Sequence, residues 1–123
     1  MGAERAIVAT HPGFANLNNF NDEIVVKMHL GEPGSWLLMG RVLMYNADGD
    51  RQYHTAKIVY DANIVVVQDR AYIDFLEHIC FYLQAGFVAE GEETTITLEC
   101  NTYDGVAQAA SLVALKVDQL DFQ

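Results

Sequence analysis

The sequence predicts an all-β domain, a sandwich or barrel of short strands, on three observations. Turn signals recur at short intervals: "HPG" at 11–13, "GEPG" at 31–34, "ADGD" at 47–50, "DAN" at 61–63, "EGEE" at 90–93 and "YDG" at 103–105. Between them lie segments rich in Val, Ile, Leu, Thr and Tyr, in which apolar positions alternate with period two. The chain has 123 residues, 51% hydrophobic and 20% charged, enough for one sizeable core and too apolar for a disordered chain. No linker, low-complexity tract or internal repeat interrupts it, so residues 1–123 read as a single domain.

Residues 1–22 read as an N-terminal strand. "EIVVKMHL", Glu23 to Leu30, is a strand with mixed faces. "SWLLMGRVLMYN" is apolar in both phases: Trp36, Leu38, Val42 and Met44 share one, while Leu37, Met39, Leu43 and Tyr45 share the other, broken only by Arg41. "TTITLEC" alternates cleanly, with Ile96, Leu98 and Cys100 opposite Thr95, Thr97 and Glu99. "SLVALKVDQL" repeats the two-sided pattern, with Val113, Leu115 and Val117 opposite Leu112 and Ala114. A strand apolar on both faces is buried on both. One sandwich core covers one face, so a subunit interface is expected on the other.

The segment "QDRAYIDFLEHICFYLQAG" fits two readings. As a helix, Asp69 caps it, Tyr72, Leu76, Ile79 and Leu83 fall at 3–4 spacing, and Gly86 ends it. As strands, Ile79, Phe81 and Leu83 alternate with Cys80, Tyr82 and Gln84.

Charge and motif content exclude several functions. Seventeen acids against seven scattered bases give a formal net charge of −10, which opposes nucleic-acid backbones and anionic membranes. No apolar run reaches the ~20 residues needed to cross a bilayer, and "MGAERAIVATHPG" shows no signal peptide. His11, His29, His54 and His78 are too dispersed for a ligand motif, although an axial metal in a symmetric assembly needs only one His per subunit. Ser35 and Ser111 lie outside any nucleophile motif, and no Gly-rich loop opens onto a helix. Neither a catalytic constellation nor a cofactor or metal site is read, so an enzyme is not expected.

"NADGD" resembles the start of a calcium loop. Counted from Asn46, however, the sixth place is Arg51 and the twelfth Lys57, where an EF-hand needs Gly and Glu. It reads instead as a hairpin turn, with Gly49 expected at positive φ. Cys80 and Cys100 are separated by nineteen residues without a CxxC pair. Their opposite phases point to two free thiols, Cys100 in the core. Rim aromatics beside amides and carboxylates are what sugar sites use, and "NTYDG" has that mixture. Asn101, Tyr103 and Asp104 are therefore candidate ligand-binding residues, with a hydrogen-bonded turn as the competing reading.

The C-terminal stretch "TITLECNTYDGVAQAASLVALKVDQL" resembles small bacterial jelly-roll proteins of the tumour necrosis factor and complement globular-head superfamily. The matching pieces are Glu99-Cys100, Tyr103-Asp104-Gly105 and Ala110 to Leu120, with "GSWLLMGRVLMYNADGDRQYHTAKI", "QDRAYI" and "LQAGF" upstream. The resemblance spans about Glu23 to Leu120 and favours strands over a helix within 69–86; "FLEHICFY" departs from the group's polar turn. It implies a two-sheet antiparallel jelly-roll sandwich assembled as a homotrimer, at the cell surface or outside the cell. By the phase argument Leu37, Met39, Tyr45, Tyr82, Leu112 and Ala114 are expected at the trimer interface, so that Leu112→Asp dissociates it. The implied role is recognition of a glycan or protein ligand. The rival is a purely structural assembly or decoration protein, and a weaker one is a small enzyme with its site at a subunit junction.

Overall fold

Eight antiparallel strands form two four-stranded sheets in a computed structural model that describes residues 5–123. The strands are β1 (Ala6–Asn18), β2 (Glu23–Leu30), β3 (Gly34–Asn46), β4 (Gln52–Tyr60), β5 (Ile64–Ile73), β6 (His78–Ala89), β7 (Thr94–Asn101) and β8 (Asp104–Val117). The part of the expected N-terminal strand that falls on residues 1–4 lies outside the described residues. One sheet has the order β1-β8-β3-β6 and the other β2-β7-β4-β5. Every connection except β4–β5 therefore crosses from one sheet to the other, as in a jelly roll. The described residues include no helix long and apolar enough to cross a membrane.

The core follows the alternation. Trp36, Leu38, Val42 and Met44 of β3 point inward and are fully buried, against Ile58 of β4 and Ile96, Leu98 and Cys100 of β7. Leu37, Met39, Leu43 and Tyr45 lie in the opposite phase, on the outer face. Both cysteines are free, with Cys100 buried and Cys80 half-buried.

Within 69–86 the chain is strand, turn and strand. Asp74–Glu77 forms the turn, closed by Glu77 N–H donating to the Asp74 carbonyl at 3.0 Å and tied to β3 by Leu76 N–H donating to the Asn46 carbonyl at 3.0 Å. The helical spacing is not realised, because its members serve different sheets. Tyr72 lies on β5, while Ile79 and Leu83 belong to β6.

Three expectations need correction. Leu112 and Ala114 are fully buried in the core and do not lie on the outer face. Residues directly opposite in an antiparallel pair point the same way. Leu112 pairs with Gly40 and Ala114 with Leu38, whereas Val113 pairs with Met39 and Leu115 with Leu37. A bulge sets this phase: the β3–β8 register shifts between Arg41 and Leu43, and Ala109 takes a φ of 51°. Secondly, "ADGD" is not a hairpin, since β3 and β4 lie in different sheets. Thirdly, Gly49 does not have a positive φ. The loop is instead held by side chains. Asn46 Nδ2 donates to the carbonyls of Ile73 (2.7 Å) and Asp50 (2.9 Å), Asp48 N–H donates to Asn46 Oδ1 (3.0 Å), and Gln52 Nε2 donates to Asp48 Oδ2 (2.8 Å).

Candidate functional site

The β1-β8-β3-β6 sheet presents a broad apolar outer face. Its rows follow from the register: Val8, Val113, Met39 and Gln84; Thr10, Ser111, Arg41 and Tyr82; Asn16, Val106, Tyr45 and His78. Val8 is 62% exposed, Phe14 72% and Tyr82 70%, values that leave large apolar side chains in water on a lone chain. The four strands of this sheet hold one of the chain's seventeen acids, Asp104 at the start of β8. The remaining acids lie on the other sheet, in the loops and at the termini. The face is therefore almost free of the charge that covers the rest of the molecule.

Two depressions mark this face. One, of about 480 Å³, is lined by Phe14, Asn16, Tyr45, His78, Val106 and Gln108, with the Tyr45 and His78 rings 4.7 Å apart. The other, of about 330 Å³, surrounds Arg41, Tyr82, Ser111 and Val113. Arg41 Nη1 donates to the Ala109 carbonyl at 3.2 Å, and the Tyr82 and Cys80 side chains favour its charged form. At the far end the C-terminal segment extends the apolar surface. A Cβ on Gly86 would lie 3.1 Å from Phe122 and 3.2 Å from Leu120, so the missing side chain lets the tail lie against β6.

The outer face of the β2-β7-β4-β5 sheet carries most of the polar strand residues, with Ile24, Tyr53 and Tyr72 exposed among them. Near the rim a depression of about 310 Å³ runs across β4, lined by Phe20, Tyr53, Thr55, Lys57, Gln68, Arg70 and Asn101. Cross-strand register brings them together: Thr55 lies between Asn101 of β7 and Arg70 of β5, and Lys57 faces Gln68. Tyr53 stacks on Tyr72 with centroids 3.7 Å apart; the Arg51 guanidinium lies 4.6 Å from the Tyr72 ring centre and that of Arg70 5.7 Å from Tyr53. Asp22 accepts from Lys57 Nζ at 2.8 Å and from Asn101 Nδ2 at 2.6 Å. Partial burial opposes the charge on Asp22, but these bonds outweigh it and hold the carboxyl below its ordinary value.

The three candidate ligand residues do not converge. Asn101 lines the polar depression. Tyr103 is exposed at the rim, its ring 6.0 Å from that of Phe20. Asp104 shares the phase of Val106 and belongs to the other sheet. The turn between them is hydrogen-bonded, with Asn19 N–H donating to the Tyr103 carbonyl (2.8 Å) and Phe20 N–H to that of Thr102 (2.9 Å). Phe20, Thr55, Lys57, Gln68 and Arg70 were not legible as site residues, because their meeting depends on which strands pair. The alternation of "QYHTAK" and "QDRAYI" was the available signal; it gives each strand's face but not the partner. Among the interface candidates, Leu37, Met39, Tyr45 and Tyr82 lie on the outer face of the first sheet, and Leu112 and Ala114 do not.

Beneath the rim lies a buried polar cluster. His54 is fully buried, its Nδ1 3.2 Å from the Gln52 carbonyl, and Thr102 Oγ1 donates to the Tyr53 carbonyl at 2.8 Å. Burial pushes the His54 pKa below the ordinary histidine value, against the opposing effect of the Gln52 and Tyr45 carbonyls.

No protein-family model matches the chain, and no curated protein is similar in sequence. Solved structures do match. The Eiger TNF of S. frugiperda superposes with a TM-score of 0.69 at 10% identity, covering 96% of this chain and 97% of that one. A chain of the infectious bursal disease virus Gx strain gives 0.58 at 11% identity, over 95% of this chain and 33% of that one. Dimeric latent PorU from Porphyromonas gingivalis gives 0.55 at 12% identity, over 94% and 13%. The chain thus has a TNF-like jelly-roll fold.

Proposed function

We propose that this chain is a non-enzymatic recognition module that works as a homotrimer. Three copies pack the outer face of the β1-β8-β3-β6 sheet together, leaving the other sheet and the rim loops to meet a glycan or protein ligand. The observation that carries the reading is the apolar face nearly free of carboxylates, in a chain of net charge −10. Covering a large apolar side chain is worth ~1.5–3 kcal/mol, so residues such as Val8, Phe14 and Tyr82 supply a strong drive to associate. The count of three comes from the superfamily that the C-terminal motif resembles, and the TNF-like fold supports it.

Light scattering at micromolar concentration tests the assembly, and a trimer mass is expected. Met39→Asp places a carboxylate at the centre of the buried face. It should dissociate the trimer while the far-ultraviolet spectrum stays that of a β protein, because a buried unpaired charge is costly. A monomeric wild-type chain would overturn the reading. A glycan array tests recognition; a trimer that binds nothing would favour a purely structural assembly protein.

A further inference from the structure

We infer that the depression across β4 is a subsite for a sugar carrying a carboxylate, with Arg70 as its anchor. This rests on the recognition reading but not on the trimer, since the depression lies on the sheet turned away from the apolar face.

The first argument is charge. Three of the seven bases, Arg51, Lys57 and Arg70, lie in or beside this depression. Arg51 pairs with Asp74 at 3.6 Å and Lys57 with Asp22 at 2.8 Å. Arg70 makes no ion pair among the described residues; its only bond to a carboxylate runs from its backbone N–H to Asp69. Two acids lie across β4 on this face, and both are engaged: Asp22 accepts from Lys57 and Asn101, and Glu99, opposite Lys57, accepts from Thr97 Oγ1 at 2.7 Å. The side chain left to meet an incoming group is thus a guanidinium, whose planar fork matches a carboxylate in two parallel hydrogen bonds.

The second argument is the lining. Thr55 on the floor and Gln68 and Asn101 on the walls offer hydroxyl and amide groups, which donate to or accept from sugar hydroxyls. Phe20 and Tyr53 supply apolar ring surface at the rim end, against which the C–H face of a pyranose can lie. The stack on Tyr72 fixes the Tyr53 ring, so little freedom is lost on binding. A volume of about 310 Å³ is at the small end of ligand sites, which suits one sugar unit rather than an extended chain.

The test uses the intact protein and saturation-transfer NMR with glucuronate, N-acetylneuraminate, glucose and acetate. Both acidic sugars should bind at least about tenfold more tightly than glucose or acetate, a difference of ~1.4 kcal/mol. Arg70→Gln should remove that preference. Lys116→Gln makes the same charge change elsewhere and should leave it intact. Light scattering and circular dichroism on each variant confirm unchanged assembly and fold. Equal binding of glucose and the acidic sugars would overturn the inference, as would a preference that survives Arg70→Gln or falls equally in Lys116→Gln. Acetate binding as tightly as the acidic sugars would reduce the site to a bare anion contact and overturn it too. Neutral glycans binding elsewhere on an array, with no signal from the acidic sugars, would leave the recognition reading standing and this subsite refuted.

Discussion

Gly105→Ala is expected to destabilise the fold sharply, because one added methyl group meets backbone. Gly105 is the second residue of β8 and lies opposite Asn46. A Cβ there would overlap the Tyr45 carbonyl oxygen and come within 2.9 Å of Thr102 Cγ2 and 3.1 Å of His54 Nε2. Thr102 and His54 are fully buried, so neither has solvent to move into. Overpacking of this kind costs ~1–3 kcal/mol, and a rigid carbonyl as the obstacle places it near ~3 kcal/mol. A domain of this size loses ~4 °C of Tm per kcal/mol, so the melting temperature should fall by roughly 12 °C. Gly49→Ala is the matched control. Nothing lies within 4 Å of a Cβ at Gly49 and its φ is not positive. It should be neutral, or stabilise by ~0.4–1 kcal/mol through the unfolded state. Thermal melts followed by circular dichroism, at one fixed chain concentration because assembly shifts Tm, compare the two. Gly105→Ala melting within ~2 °C of wild type would refute the close approach. So would an equal loss in Gly49→Ala, which would show that both turns depend on glycine alike.

Three further outcomes are expected. His54 favours its neutral form when folded, so its contribution to stability is complete above its unfolded pKa of 6.5 and is lost as pH falls through the lower folded value. Urea melts should show this loss below about pH 6.5 and His54→Gln should flatten it; an unchanged slope in the variant would contradict the assignment, and Asp22 enters only below 3.8. Burial, with Glu99 and Asp22 nearby, pushes the Cys100 thiol up to about 12, so iodoacetamide at pH 8 should label Cys100 only after unfolding in guanidinium; rapid native labelling would overturn its place in the core. Calcium at millimolar concentration should not raise Tm relative to chelator, since Asn46 and Asp48 oxygens already accept from Asp48, Asp50 and Gln52. A rise abolished by both Asp48→Ala and Asp50→Ala would reinstate a metal site.

The sequence by itself determined the class of fold, the punctuation between strands and the inward set of the strands whose phase is unbroken. Trp36, Leu38, Val42 and Met44, and likewise Ile96, Leu98 and Cys100, are buried as period two requires. It also determined that β3 has a second apolar face, since alternation is a local property. Only the tertiary structure decided the face of β8. Both of its phases are apolar, so no local signal distinguishes them, and the bulge at Ala109 that sets the phase depends on the pairing with β3. The same holds for "ADGD", whose composition fits a hairpin, because whether the next strand joins the same sheet depends on distant partners. The polar depression is the extreme case. Phe20, Lys57, Arg70 and Asn101 come from four segments far apart in the chain, and they meet because β4 lies between β5 and β7. Side-chain direction is encoded along a strand; side-chain company is set by register between strands, which a single strand's sequence does not contain.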